Sequence, residues 1–138
     1  MRAVKYFKAT SWSQAAEAIK KDPNAYAIAG GSDILGWTKE GIQGKGAPPA
    51  QAFVDIRSIT GSDKISYSKS DGLKIGALAT LASIETTKEV METYPILAKA
   101  AAAAASPNIR ASGTIGGNVN QRPRWLTLPP MEIGRAHV

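Results

Sequence analysis

Cysteine is absent from this chain, and histidine occurs once, as His137. Disulfide bonds, cysteine-ligated zinc or iron–sulfur sites and a thiol nucleophile are therefore excluded. Long hydrophobic runs are also missing: the longest apolar stretch, residues 96–105, is interrupted by Lys99 and falls short of the roughly 20 residues that a membrane-spanning helix needs. We therefore expect neither a membrane span nor a metal site in this chain.

Charged residues make up 20% of the sequence, and basic residues outnumber acidic ones. Among 138 residues, 17 Lys and Arg stand against 11 Asp and Glu, which gives a formal net charge of +6, and 43% of the residues are hydrophobic. This composition is typical of a globular protein, and its positive balance suits an anionic ligand or an acidic partner surface without choosing between them. Residues 1–8 carry charges where a signal peptide has its apolar core, so we expect a cytoplasmic location.

The last seven residues, 132–138, read as the translation of a common sequencing-library adapter. We expect this segment to be an artefact, in which case the chain is a fragment of a longer gene; a genuine C-terminal segment is the alternative. His137 lies within it and receives no catalytic role. No catalytic residue is predicted elsewhere in the chain.

The first part of the sequence, residues 1–58, predicts a small βαβαβ lobe. A β-type run precedes Ser11, and Gln14 three residues later gives the spacing of a capping box. The helix that follows has an apolar stripe at Trp12, Ala15, Ala16 and Ile19. Further strands are predicted at 25–29 and 52–57, with a helix from Ile34 between them.

The second part, residues 59–131, predicts the start of a second, incomplete α+β lobe. Asp71-Gly72 between two alternating runs indicates a β-hairpin. Thr80 and Thr87 are predicted to cap short helices, and Pro95 to be the first residue of a helix through the alanine run that Ser106-Pro107 ends.

Two glycine turns stand out. Gly30-Gly31 follows a predicted strand and leads through Ser32-Asp33 into a helix, and the second turn is residues 113–118. Glycine admits backbone conformations closed to other residues and removes the side chains that would keep a phosphate from the main-chain N–H groups. One such pair is most simply a tight turn, whereas two of them suit a ligand with two linked phosphates. Neither a G-x-G-x-x-G fingerprint nor a P-loop is present.

These two turns resemble the flavin loops of a known family. Residues 29–35 are similar to the first flavin loop, and residues 108–118 to the second, of the FAD-binding subunit of the molybdenum hydroxylases, the family of xanthine dehydrogenase, aldehyde oxidoreductase and carbon monoxide dehydrogenase. Residues 73–81 and 94–97 also resemble the family in the same order. The resemblance extends over nearly the whole chain, up to about Arg124.

The resemblance implies an α+β, two-lobed FAD-binding fold of the xanthine dehydrogenase and vanillyl-alcohol oxidase type, with the second lobe truncated. It implies noncovalent FAD whose pyrophosphate is wrapped by both loops, largely through main-chain amides. The contacts that it implies are Ala29, Gly30, Gly31, Ser32 and Asp33 in the first loop, Thr114, Ile115, Gly116, Gly117 and Asn118 in the second, and Gly76 in a supporting strand.

The resemblance also implies partner chains. Such a subunit receives electrons from an iron–sulfur subunit with 2Fe-2S clusters, which is supplied by a molybdopterin-binding subunit, and passes them to NAD or another acceptor. The fragment alone is expected to be inactive, with the redox chemistry belonging to the flavin.

Three alternative hypotheses for the function stay open. A flavin-dependent oxidase or reductase of the same fold would act without a molybdenum partner, although covalent flavin attachment through His or Cys cannot occur within residues 1–131. A small basic nucleic-acid binder would suit a sequence pI of about 9.7, but the basic residues are scattered and no recognition motif is present. A purely structural module would bind no flavin.

Overall fold

The computed structural model describes residues 3–40 and 50–121, so the predicted adapter segment and the end of the second predicted lobe lie outside the described residues. The described residues form five strands and seven helices. Their bounds in chain order are β1 (Lys5–Lys8), α1 (Trp12–Lys21), β2 (Ala25–Ile28), α2 (Ile34–Glu40), β3 (Ala52–Asp55), β4 (Ile65–Ser68), β5 (Gly72–Ile75), α3 (Leu81–Thr86), α4 (Lys88–Thr93), α5 (Pro95–Ala103), α6 (Pro107–Ser112) and α7 (Ile115–Asn120).

The first three strands form one parallel sheet in the order β1-β3-β2. The predicted βαβαβ arrangement is therefore confirmed, with β3 in the centre of the sheet. Val54 on β3 pairs with Phe7 on β1 and with Ala27 on β2. Its side chain is buried in a core of small and branched residues: Ala9, Ala15, Ala25, Val54 and Ile59.

Helix α1 begins as predicted but buries a different face. The Ser11 hydroxyl accepts a hydrogen bond from the Gln14 amide at 3.2 Å, which confirms the cap. The predicted apolar stripe is confirmed at Ala15 and wrong at Trp12, Ala16 and Ile19, which are exposed; Ala15 and Ala18 pack on the sheet core. Small side chains let a helix lie close to its sheet, so the large residue stays at the surface.

An antiparallel hairpin of β4 and β5 and five helices make up the rest of the described chain. Gly72 has the left-handed φ of +72° that this turn requires. Thr80 accepts from the Ser83 amide as a side-chain cap and Pro95 begins α5, both as predicted, whereas Thr87 precedes α4 without a side-chain cap bond. A second core lies here: Ala79, Ile84, Val90, Ala98 and Ala101.

The second glycine turn is shorter than predicted. Gly116 and Gly117 lie inside helix α7, and only Gly113-Thr114 connects that helix to α6, which the sequence did not predict. Glycine is a poor helix former, but a β-carbon on Gly116 would lie 2.7 Å from the Ala77 carbonyl oxygen. Close packing on the segment after β5 therefore outweighs the low helix propensity.

One parallel sheet and one separate antiparallel hairpin, both packed with helices, confirm the α+β class. In the part of the chain that the structure describes, no helix combines the length and apolar character needed to cross a bilayer. The boundary near residue 58 stays a prediction.

Candidate functional site

A cavity of about 510 Å³ lies where the two glycine-containing segments meet, and we call it the interloop cavity. Residues 27–34, from the end of β2 to the start of α2, form one part of its lining. The rest comes from the second half of the chain: Leu81, Ala104, Ala105, Ile109, Gly113, Thr114, Gly117, Asn118, Asn120 and Gln121. The fold thus brings together two segments that are far apart in the sequence.

The first of these segments, residues 29–33, is shaped by a glycine with a left-handed backbone. Gly31 has a φ of +72°, and a β-carbon there would lie 2.9 Å from the Leu35 side chain. The Gly31 carbonyl accepts from the Leu35 amide at 3.2 Å as α2 begins. The chain consequently turns from strand to helix within a few residues, with main chain rather than side chains facing the turn.

Within the described part of the chain, the amides of this turn lack a protein acceptor. Within residues 3–40 and 50–121, no acceptor receives a hydrogen bond from the main-chain N–H groups of residues 30–34. All five residues line the interloop cavity. Unpaired main-chain donors are normally satisfied by water or a ligand, so this run of donors is suited to an anionic group.

The two segments touch through their main chains. A β-carbon on Gly30 would lie 1.8 Å from the carbonyl oxygen of Ser112, a distance that no side chain tolerates. A β-carbon on Gly113 would lie 3.6 Å from the Ser32 hydroxyl, so that hydroxyl adjoins the second segment. Gly30 is therefore required for the approach of α6 to the first loop.

The second segment presents side chains rather than free amides. The Ile115 amide donates to the Ala79 carbonyl at 2.8 Å, and the Gly116 amide donates to the Ala77 carbonyl at 2.9 Å. The Gly117 amide donates to the Thr114 hydroxyl at 3.2 Å, which caps α7. Protein groups already occupy these three donors, so the segment faces the cavity with the side chains of Thr114 and Asn118 and the main chain of Gly117.

The structure brings most of the predicted site residues into one lining. Eight of them face the interloop cavity: Ala29, Gly30, Gly31, Ser32, Asp33, Thr114, Gly117 and Asn118. Ile115, Gly116 and Gly76 do not line it. Gly76 packs against the main chain of Ser62, where a β-carbon would lie 2.2 Å from the carbonyl oxygen, so its observed contact is with the β3–β4 connection. Contacts of all these residues with a cofactor stay predictions.

The turn between α5 and α6 forms a part of the interloop cavity lining that the sequence did not predict. Ala104 and Ala105 line the cavity, and Ala105 has a φ of +48°, the one positive φ outside glycine among the described residues. Alanine carries no chemical signature, so only Ser106-Pro107 marked a turn here. Asn120 and Gln121 near the end of α7 also line the cavity and were not predicted.

An ionic cluster of Asp55, Arg57 and Tyr6 lies outside the cavity, where β3 ends beside β1. The Asp55 carboxylate accepts from the Arg57 guanidinium at 2.7 and 3.0 Å, from the Arg57 amide, and from the Tyr6 hydroxyl. The Arg57 guanidinium holds the pKa of Asp55 well below its usual range, and the hydrogen bond to Asp55 raises the pKa of Tyr6. Asp55 is 2% exposed, and its bond from the Tyr6 hydroxyl joins β3 to β1.

Within its described lining, the interloop cavity offers donors for an anion but no acid–base pair that would activate a nucleophile. Among its described lining residues, Asp33 alone has a charged side chain, and it is exposed to solvent. Hydroxyl, amide and main-chain donors make up the rest of the polar lining. Any redox reaction at this site would come from a bound group.

Comparison with known proteins identifies a family. Residues 2–138 match the family described as the FAD binding domain in molybdopterin dehydrogenase. The chain is 32% identical over 124 residues to the FAD-binding subunit of an aldehyde oxidoreductase of Escherichia coli (strain K12), which covers 90% of this chain and 37% of that subunit. It is 40% identical over 77 residues, or 56% of this chain and 26% of the relative, to subunit alpha of the 6-hydroxypseudooxynicotine dehydrogenase complex of Paenarthrobacter nicotinovorans.

Solved structures give the same result. A carbon monoxide dehydrogenase from Hydrogenophaga pseudoflava matches with a TM-score of 0.76 and 28% identity, over 86% of this chain and 39% of that one. Quinoline 2-oxidoreductase from Pseudomonas putida 86 matches with a TM-score of 0.73 and 30% identity, over 84% of this chain and 39% of that one. The chain thus spans well under half the length of these relatives, and the predicted fold is confirmed.

Proposed function

The chain belongs to the FAD-binding domains of the molybdopterin dehydrogenases, the FAD-binding medium subunits of the molybdenum hydroxylases, and from this premise we propose that its interloop cavity holds the pyrophosphate of noncovalently bound FAD. The observation that carries the proposal is the run of amides at residues 30–34, which have no acceptor among the described residues. A pyrophosphate offers several anionic oxygens in a row, which is what consecutive N–H groups can satisfy together.

The glycines fit such a group because a β-carbon at either would find no room. At Gly30 it would collide with the Ser112 carbonyl, and at Gly31 the backbone is left-handed. The first loop therefore brings bare main chain to the cavity, as close contact with a phosphate requires. Ser32 and Asn118 add side-chain donors from the two sides, and Thr114 both caps α7 and lines the cavity.

The residues of this chain bind and orient the cofactor. When bound, FAD would supply the redox chemistry, taking electrons from iron–sulfur clusters and passing them to NAD or another acceptor. The loop amides would neutralise part of the pyrophosphate charge, and the contact between Gly30 and Ser112 would hold both loops at a fixed separation.

Partners follow from the same proposal. The chain has no cysteine to ligate a cluster, so the 2Fe-2S clusters and the molybdopterin would reside on an iron–sulfur subunit and a molybdopterin-binding subunit of one cytoplasmic complex. The net charge of +6 would favour association with acidic partner surfaces. Co-purification of the gene product with the products of its neighbouring genes tests this assembly. Oxidation of a substrate at full rate by the flavoprotein alone would support an independent oxidase instead.

FAD binding is tested by titrating the full chain with FAD and following the quenching of flavin fluorescence. ADP should compete, because it carries the same diphosphate, whereas riboflavin without phosphate should bind far more weakly. Acid should release the flavin intact, since no covalent bond is expected. A chain that takes up no FAD, or that binds riboflavin as tightly as FAD, would refute the proposed use of the cavity.

A further inference from the structure

The turn between α5 and α6 is built around one arginine that does not face the interloop cavity. Arg110 on α6 donates from Nη1 to the carbonyl oxygens of Ala104 and Ala105, at 3.3 and 3.1 Å. Its Nε donates to the Glu85 carboxylate on α3 at 2.7 Å. One guanidinium therefore joins α3, α6 and the turn, each of which contributes to the cavity lining.

The ion pair between Arg110 and Glu85 is partly shielded from water, whereas the hydrogen bond from Arg110 to the Ala105 carbonyl is exposed. The Arg110 side chain is 14% exposed and the Glu85 side chain 27%. By contrast, Lys88 and Glu92 form an exposed pair at 3.9 Å with side chains 79% and 66% exposed. A shielded, directional guanidinium contact constrains its neighbours more strongly than an exposed pair, because water competes less for its donors.

The turn also stores backbone strain next to the cavity. Ala105 adopts a φ of +48°, a region in which the alanine β-carbon is crowded by its own main chain. Such a conformation persists only where surrounding contacts determine it. The Arg110 donors to the carbonyls of Ala104 and Ala105 are contacts of that kind, and both alanines line the cavity.

We propose that Arg110 is a positioning residue for FAD: by holding Ala105 in the left-handed conformation, it keeps the α5–α6 turn in the shape that the interloop cavity needs. The inference rests on the proposed function and adds to it a residue that never touches the cofactor. Glu85 orients the guanidinium, and the strained turn is the element on which it acts.

The test compares four versions of the full chain: unmodified, Arg110→Lys, Ala105→Gly, and the double variant. Lysine keeps the positive charge near Glu85 but has no fork that reaches the carboxylate and two carbonyls at once. We expect Arg110→Lys to weaken FAD binding by about tenfold or more, a change equivalent to about 1.4 kcal/mol. Glycine adopts a positive φ without strain, so Ala105→Gly should restore most of the lost affinity in the double variant.

Comparison of FAD affinity with melting temperature separates positioning from general stability. If Arg110 served only overall stability, FAD affinity would follow the melting temperature across the four versions, whereas a positioning role predicts a loss of affinity larger than the change in melting temperature explains. Lys88→Gln is the matched control at an exposed ion pair and should leave FAD affinity unchanged. Glu85→Gln provides a second variant if Arg110→Lys does not fold; it removes the carboxylate charge but keeps an acceptor, and it should weaken binding less.

Hydrogen exchange of the Ala104 amide, which donates to the Ala101 carbonyl at 3.2 Å, gives a readout in the FAD-free chain that needs no cofactor. Exchange should quicken in Arg110→Lys and not in Lys88→Gln. If the unmodified chain binds no FAD, the proposed function fails. If it binds FAD and Arg110→Lys binds equally well, or if Ala105→Gly restores nothing, the positioning role is overturned while the proposed function stands.

Discussion

Gly30 lies so close to Ser112 that a single methyl group added at Gly30 would fall 1.8 Å from the Ser112 carbonyl oxygen. This contact joins the first glycine loop to the end of α6 without any side chain between them. Because both segments line the interloop cavity, the width of the cavity at this point is set by main chain alone. A substitution there must change the cavity, the loop, or both.

The first prediction uses two glycines of the same region. Gly30→Ala should lower FAD affinity by about tenfold or more, because the methyl group forces the first loop away from Ser112. Gly36→Ala in α2 is the matched control: a β-carbon there meets nothing within 4 Å, and alanine favours a helix by about 0.5–1 kcal/mol over glycine. Fluorescence titration and thermal unfolding of both variants check this. Equal FAD binding by the two would contradict the role of the contact.

The second prediction concerns Gly117, which lines the cavity at the start of α7. Gly117→Ala places its β-carbon 3.2 Å from the Thr114 hydroxyl, a contact that a small shift relieves, so FAD affinity should change by no more than about threefold. Gly117→Val adds branched methyl groups that restrict the backbone and take up space beside the phosphate, and its affinity should fall by about tenfold or more. An FAD affinity of Gly117→Val equal to that of the unmodified chain would show that the second segment does not hold the cofactor.

The third prediction separates neighbouring residues on α7. Asn118 lines the cavity, whereas Val119 is 74% exposed and does not. Asn118→Ala should weaken FAD binding by about 1.5–3 kcal/mol, the usual contribution of a hydrogen bond to a charged group. Val119→Ala should leave the dissociation constant unchanged. Isothermal titration calorimetry on both variants distinguishes them, and a larger effect at Val119 would contradict the assigned lining.

The fourth prediction is a pH dependence of folding. The pKa of Asp55 is lowered in the folded chain by the Arg57 guanidinium. The stability that this carboxylate contributes is therefore present above its unfolded pKa, about 3.9, and is lost as the pH falls below that value towards the folded pKa. Urea unfolding between pH 5 and 2 should show a steep loss of stability in the unmodified chain and a shallower one in Asp55→Asn.

Asp71→Asn is the control for that measurement. Asp71 pairs with Lys74 at 2.7 Å, but both side chains are more than half exposed, and such surface pairs contribute little. The slope of unfolding free energy against pH should therefore stay close to that of the unmodified chain. A slope in Asp55→Asn as steep as in the unmodified chain would refute the assignment to Asp55.

Local sequence signals predicted the elements that depend on local chemistry. Ser11 and Thr80 cap their helices, Pro95 begins α5, and Gly72 closes the hairpin, because each of these roles is decided within a few residues. The predicted burial of Trp12 failed because the buried face of α1 depends on the small residues of the sheet beneath it. The sequence window around Trp12 holds no information about that sheet.

The site was predicted in part for the same reason. The pair Gly30-Gly31 predicted a loop with exposed main chain, and in the structure both glycines line the interloop cavity. The sequence predicts a turn at Gly116 and Gly117 because glycine is rare in helices, yet the close packing of Gly116 on Ala77 favours helix α7. Ala105 gave no signal, since its unusual conformation is imposed by Arg110 from a neighbouring helix.

The order β1-β3-β2 also constrains how the chain is made. Each outer strand of this sheet pairs with β3, the last of the three in the sequence. During synthesis β1 and β2 therefore leave the ribosome before their hydrogen-bonding partner exists, and neither can be completed until residue 55 has emerged. Both pairings then form around one strand, so the sheet is expected to assemble in a single late step rather than strand by strand.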